Sequence, residues 1–85
     1  MHWQLQIARR ALKALEKLPA EDRRLIRSAL EAMRRDPFSG DIKRLKNERS
    51  AWRRRVGSYR IFFDVLPDVL TVNVVEIARR TSTTY

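Results

Sequence analysis

Trp3, Leu5 and Ile7 alternate with His2, Gln4 and Gln6, the period-two pattern of a half-buried strand. The period lengthens at residue 8. Ala8, Ala11, Leu12, Leu15 and Leu18 fall on one stripe with Arg9, Arg10, Lys13 and Glu16 outside it, which predicts a helix over residues 8–18 stopped by Pro19. Leu25, Ile26, Ala29, Leu30 and Met33 form a second stripe. That helix opens on Pro19-Ala20-Glu21-Asp22 and closes near Arg34-Arg35, with acids first and bases last as the helix dipole favours. The short connection makes the two helices an antiparallel hairpin. Asp36-Pro37-Phe38-Ser39-Gly40 is a loop by composition, residues 42–45 are a short extended piece, and 47–50 are turn-like. Residues 52–56 and 59–66 read as strands around a tight Gly57-Ser58 turn. Pro67-Asp68 turns the chain into a nearly continuous apolar strand over 69–77, and periodicity fades over 78–85. The order β-α-α-β-β-β predicts an α+β chain, with a two-helix hairpin on one face of a mainly antiparallel four-stranded sheet. There is no repeat or linker, so residues 1–85 form a single domain.

Parity sorts the side chains of the central hairpin. Glycine first in a two-residue loop suits a type II′ turn. Val56 then pairs with Tyr59, Arg55 with Arg60, Arg54 with Ile61, Arg53 with Phe62 and Trp52 with Phe63. Alternation puts Trp52, Arg54, Val56, Tyr59, Ile61, Phe63 and Val65 toward the helices, and Arg53, Arg55, Arg60, Phe62 and Asp64 on the opposite, open face. Arg54 belongs to the core-facing set and reaches an edge with its charged head. In the second hairpin, Leu66 opposite Val69 would pair Val65 with Leu70, Phe63 with Val72 and Ile61 with Val74, leaving Thr71, Asn73 and Arg79 on the open face. Arg55 directly across from Arg60 is a repulsive pair, worth some tenths of a kcal/mol. An anion held between them would turn that repulsion into charge-assisted, two-pronged contacts, and Phe62 beside them offers a ring on which a base could stack. The competing reading pairs Arg53 diagonally with Asp64 and leaves the rest solvated. Arg23, Arg24, Arg27, Arg34 and Arg35 read as an ordinary solvated helix surface.

Charge sharpens this picture. The chain carries +9, and residues 41–60 alone hold eight of its nineteen Lys/Arg against two of its ten acids. A local basic patch of this kind points to a polyanionic partner. There is no cysteine, which excludes disulfides, thiolate metal sites and a thiol nucleophile, and His2 is the single histidine, which argues against a metal site and most histidine-based proton transfer. No cofactor is expected. No apolar run reaches membrane-spanning length and the first residues lack the regions of a signal peptide, so a soluble, cytoplasmic protein is expected.

With these residues placed, the chain resembles the RelE/ParE toxin superfamily of bacterial type II toxin–antitoxin modules. The resemblance spans nearly the whole chain: the first strand, the helical hairpin rich in Ala, Leu and Lys, Asp36-Pro37-Phe38, and the Lys-x-x-Lys element from Lys43 to Lys46. The specific part is Trp52-Arg53-Arg54-Arg55-Val56-Gly57-Ser58-Tyr59-Arg60, followed by an apolar hairpin and an arginine-containing tail ending in Tyr85. The resemblance implies a RelE-like fold and a toxin neutralised by a cognate antitoxin, whose extended, often acidic segment wraps it. Operator DNA would be contacted only through the toxin–antitoxin complex. RelE-like members cut mRNA on the ribosome without a metal, inhibiting translation; ParE-like members poison DNA gyrase instead.

Carried over by position, the resemblance implies Arg53, Arg55, Arg60 and Arg80 as phosphate-binding and catalytic residues and Tyr85 as a stacking aromatic. The positions matched to Arg53 and Arg55 are lysines in the best-known ribonuclease members, and the tail spacing admits Arg79 or Arg80. Attack by a 2′-hydroxyl also needs a proton acceptor, for which Lys46 or Lys43 are the candidates and Glu48 and Asp64 the poorer ones. Lys43, Arg44, Lys46, Arg54, Phe62 and Arg79 complete the expected RNA-contacting set. The expectation is therefore a ribosome-dependent mRNA endoribonuclease. The alternatives are a ParE-like gyrase inhibitor and a non-catalytic RNA- or antitoxin-binding domain.

Overall fold

The computed structural model describes residues 2–46 and 50–79. Among these residues two α-helices and five strands follow in chain order: β1 (Gln4–Ile7), α1 (Arg9–Glu16), α2 (Ala20–Arg35), β2 (Asp41–Arg44), β3 (Trp52–Val56), β4 (Tyr59–Leu66) and β5 (Thr71–Arg79), with a 3-10 turn between the last two. The strands form one sheet in the order β1-β5-β4-β3-β2, with β1 parallel to β5 and every other pair antiparallel. The α+β class and the chain order are as expected, but the sheet has five strands rather than four. The short extended piece after the loop pairs fully with β3, from Asp41 opposite Arg55 to Arg44 opposite Trp52.

An eight-residue helix is too short to stand alone. α1 is held by its neighbours: Ala11 and Leu15 enter the core, and Arg23 from α2 donates to the Leu18 carbonyl in the connection between the helices at 2.9 Å. Ile26, Ala29, Leu30 and Met33 of α2 complete the helix side, packed against Tyr59, Ile61, Phe63, Val72, Val74 and Ile77 of the sheet. Each fully buried Leu, Ile, Val, Met or Phe among them stabilises by about 1.5–3 kcal/mol. All of this core lies on one face of the sheet.

The β3–β4 hairpin has the expected register throughout, from Val56–Tyr59 to Trp52–Phe63. Gly57 has φ +58° and Ser58 is not among the residues of positive φ, which is the type II′ pattern. The β4–β5 hairpin departs from expectation twice. Its turn is not the dipeptide Pro67-Asp68 but a 3-10 turn at Pro67–Val69 followed by Leu70 in the left-handed region at φ 47°. Leu66 therefore faces Thr71, Val65 faces Val72 and Phe63 faces Val74, a slip of two residues that preserves parity. A β-bulge then intervenes: Phe62 faces Glu76 while Phe63 faces Val74, so Val75 is the extra residue. Beyond it parity reverses. Ile77 pairs with Ile61 in the core and Arg79 with Tyr59, on the helix side rather than the open face.

Candidate functional site

On the open face the registers align side chains into rows across the strands. One row reads Asp41, Arg55, Arg60 and Ala78, and the next reads Lys43, Arg53, Phe62 and Glu76. Lys43, Arg53, Arg55 and Arg60 thus gather on one surface, with Arg55 and Arg60 directly opposed, as strand parity predicts. Lys43, Arg55 and Arg60 are exposed. Arg53 differs: only 12% of its side chain is accessible, so it lies along the sheet instead of standing off it.

Two acids that sequence reasoning missed share this surface. Asp41, at the head of β2, sets Oδ2 3.4 Å from Arg55 Nε and Oδ1 4.0 Å from Arg53 Nη1. Glu76 arrives opposite Phe62 because of the bulge, and its Oε1 lies 3.5 Å from Arg10 Nη1. Both left traces in the sequence. Asp41 continues the outward alternation of Lys43 around inward Ile42, and Val74-Val75-Glu76-Ile77 contains the phase slip of a bulge. The diagonal Arg53–Asp64 pair is replaced by Arg53 with Asp41, while Asp64 Oδ1 accepts from the Ala51 amide at 2.7 Å.

Several expected RNA contacts lie elsewhere. Phe62 is on the open face but only 8% exposed, flanked by Arg53 and Glu76 on the neighbouring strands, so its ring is not an open stacking platform. Arg44 faces the other way, with its guanidinium 5.3 Å from the ring centre of Trp52. Arg54 also points away: Nη1 donates to the Ser39 carbonyl and to Ser39 Oγ, both at 3.2 Å, and the guanidinium lies over Gly40. Burial lowers the Arg54 pKa, yet a guanidinium remains charged in such a setting. Arg79 sits over the Tyr59 ring at 5.8 Å on the helix side, where the bulge has turned it. Lys46 is exposed in a bend after β2. Arg80, Tyr85 and Glu48 lie outside the described residues.

The surface thus gathers guanidinium and ammonium groups, the side chains whose chemistry suits a phosphate. Among the described residues no three His, Asp or Glu side chains gather as a metal site would require, and no helix is long and apolar enough to cross a membrane.

Comparison with known proteins gives concordant matches. A family model described as the ParE toxin of the type II toxin-antitoxin system, parDE, matches residues 5–83. A candidate RelE1 toxin of Methanocaldococcus jannaschii is 31% identical over 83 residues, covering 94% of this chain and 92% of its own length. Among solved structures, the archaeal RelE–RelB complex from Pyrococcus horikoshii superposes with a TM-score of 0.83 at 20% identity, over 98% of this chain and 100% of the other. The RelB–RelE antitoxin–toxin complex from Methanococcus jannaschii gives a TM-score of 0.69 at 26% identity, over 87% of this chain and 88% of the other.

Proposed function

The chain belongs to the RelE/ParE toxin superfamily of type II toxin–antitoxin systems, and from that premise we propose that it is a RelE-like endoribonuclease that cuts mRNA on the ribosome and is silenced by a cognate antitoxin. The observation that carries this reading is the opposed pair Arg55–Arg60, flanked by Arg53 and Lys43, on a sheet face that the helices leave uncovered. Antitoxin complexes of RelE proteins among the similar structures support the partner.

In this proposal the 2′-hydroxyl of the RNA attacks the adjacent phosphorus and the bond to the 5′-oxygen breaks. Negative charge builds on the phosphorane oxygens, where Arg60 with Arg53 or Arg55 stabilises it; fixed cations act there without reorganising during the reaction. Lys43, in the row of Arg53, or Lys46 takes the 2′-hydroxyl proton when it stands as the neutral amine, since the ammonium form has no lone pair to accept it. Arg80 serves the leaving oxygen and Tyr85 stacks on a base. Single-turnover cleavage on programmed ribosomes tests the assignment. Arg60→Ala is expected to slow cleavage by about 10²–10³-fold, the scale of losing one transition-state charge contact; cleavage at the wild-type rate refutes it.

A ParE-like gyrase inhibitor is the second reading. Favouring it are the guanidinium groups at positions 53 and 55, which do not give up protons as a lysine can, and a gyrase poison needs no such base. Inhibition of gyrase supercoiling without mRNA cleavage would replace the first reading with the second.

A further inference from the structure

Asp41 is a carboxylate partner of both Arg53, whose side chain is largely covered, and Arg55, which is exposed, and its contacts with the two are long. One carboxylate is spread over two guanidinium groups at 3.4 and 4.0 Å, longer than the roughly 2.7–2.9 Å of a good charge-assisted hydrogen bond. Arg53 Nη1 is buried and has no hydrogen-bond partner. Asp41 itself remains mostly exposed, with 59% of its side chain accessible.

Its place is nevertheless firmly set. Asp41 is the first residue of the edge strand β2, directly across from Arg55. The preceding loop is tied from within by Phe38 N–H to Asp36 Oδ1 at 3.0 Å and Ser39 Oγ–H to the Asp36 carbonyl at 2.8 Å. Arg54 clamps the same loop from the opposite face of the sheet, through Ser39 and over Gly40. A loosely bonded carboxylate thus stands on a rigid support beside guanidinium groups that repel one another.

We propose that Asp41 is an internal counter-anion of the phosphate site: it offsets the mutual repulsion of Arg53, Arg55 and Arg60 in the free protein and weakens the hold on a nucleic-acid phosphate that takes up the same guanidinium groups. Asp41 thereby sets the affinity of the site, and Arg54, on the other face, positions it. The inference rests on the phosphate-binding reading of the open face. Like charges brought together on one surface repel, so the carboxylate that stabilises the empty site opposes the filled one. Removing it should move stability and affinity in opposite directions, which a purely structural role would not do.

The test uses the full chain and a 2′-O-methyl single-stranded oligoribonucleotide, with Asp41→Asn and, as a second variant with a short polar side chain, Asp41→Ser. Both are expected to bind about 3–10-fold more tightly than wild type at low salt, the scale of one partly screened charge. The logarithmic salt dependence should steepen by about 0.7, one further phosphate charge neutralised. Their melting temperatures should fall without a polyanion and recover when inorganic pyrophosphate is added, whereas Asp41→Glu should behave as wild type. Equal or weaker binding by Asp41→Asn and Asp41→Ser, while Arg60→Ala loses affinity, overturns this inference alone. Undiminished binding by Arg60→Ala overturns the phosphate-site reading beneath it.

Discussion

Tyr59 begins β4 at 3% exposure and joins three elements. Its hydroxyl donates to Asp22 Oδ2 at 2.6 Å in the first turn of α2, and its ring carries the Arg79 guanidinium from β5. The hydrogen bond to Asp22, then burial and the Asp22 charge, push the phenol pKa above its ordinary value, while Arg79 pulls the other way. A raised folded pKa means that folding favours the protonated phenol. Its contribution is fully present below the unfolded value of about 10 and is lost as pH rises through the folded one. Tyr59→Phe is expected to lower stability near neutral pH, because the hydrogen bond to Asp22 is lost. It should also flatten the decline of stability above about pH 10, which denaturant titrations at neutral and alkaline pH would register. Wild-type stability in the variant would mean that Asp22 is equally well served by water.

At the scale of elements, the edge strand β2 depends on the approach made by the loop before it. Gly40 has φ +80°, a region that costs other residues strain, and a Cβ there would sit 2.7 Å from Arg54 Cζ. Gly40→Ala is expected to destabilise by about 1–3 kcal/mol. It should also weaken protection of the β2–β3 amides in hydrogen exchange while leaving the β4–β5 pairing intact. Uniform loss of protection would contradict this local account. The Gly57 turn was readable because two short-range requirements coincide there, a positive φ and a two-residue loop. The β4–β5 register was not, because the four residues 67–70 close the hairpin with a non-glycine residue in the left-handed region, which composition disfavours.

For the molecule as a whole, the positive charge divides between two surfaces with different work. Arg44, Arg54 and Arg79 lie on the helix side, engaged with Trp52, Ser39 and Tyr59, whereas Lys43, Arg53, Arg55 and Arg60 share the open face. Single-stranded RNA binding should report this division. Arg55→Gln is expected to lower affinity at low salt and reduce the logarithmic salt slope by about 0.7, while Arg44→Gln and Arg79→Gln should leave that slope unchanged. Equal slope losses from both faces, measured by anisotropy titration over a range of salt, would show that RNA wraps the sheet edge.

Local physics was enough for the sequence by itself to determine the helical hairpin, the Gly57-Ser58 turn, the register of β3 on β4 and the split of Arg53, Arg55 and Arg60 from Arg54. Side-chain periodicity and turn stereochemistry act over a few residues and leave their marks in order along the chain. The tertiary structure decided what depends on distant partners. It added β2 as a fifth strand, brought Asp41 beside Arg53 and Arg55, buried Phe62, and used the bulge at Val75 to send Arg79 to the helix side. A single inserted residue in a strand reverses the facing of everything after it, and whether that residue is tolerated is settled by core packing on a neighbouring strand.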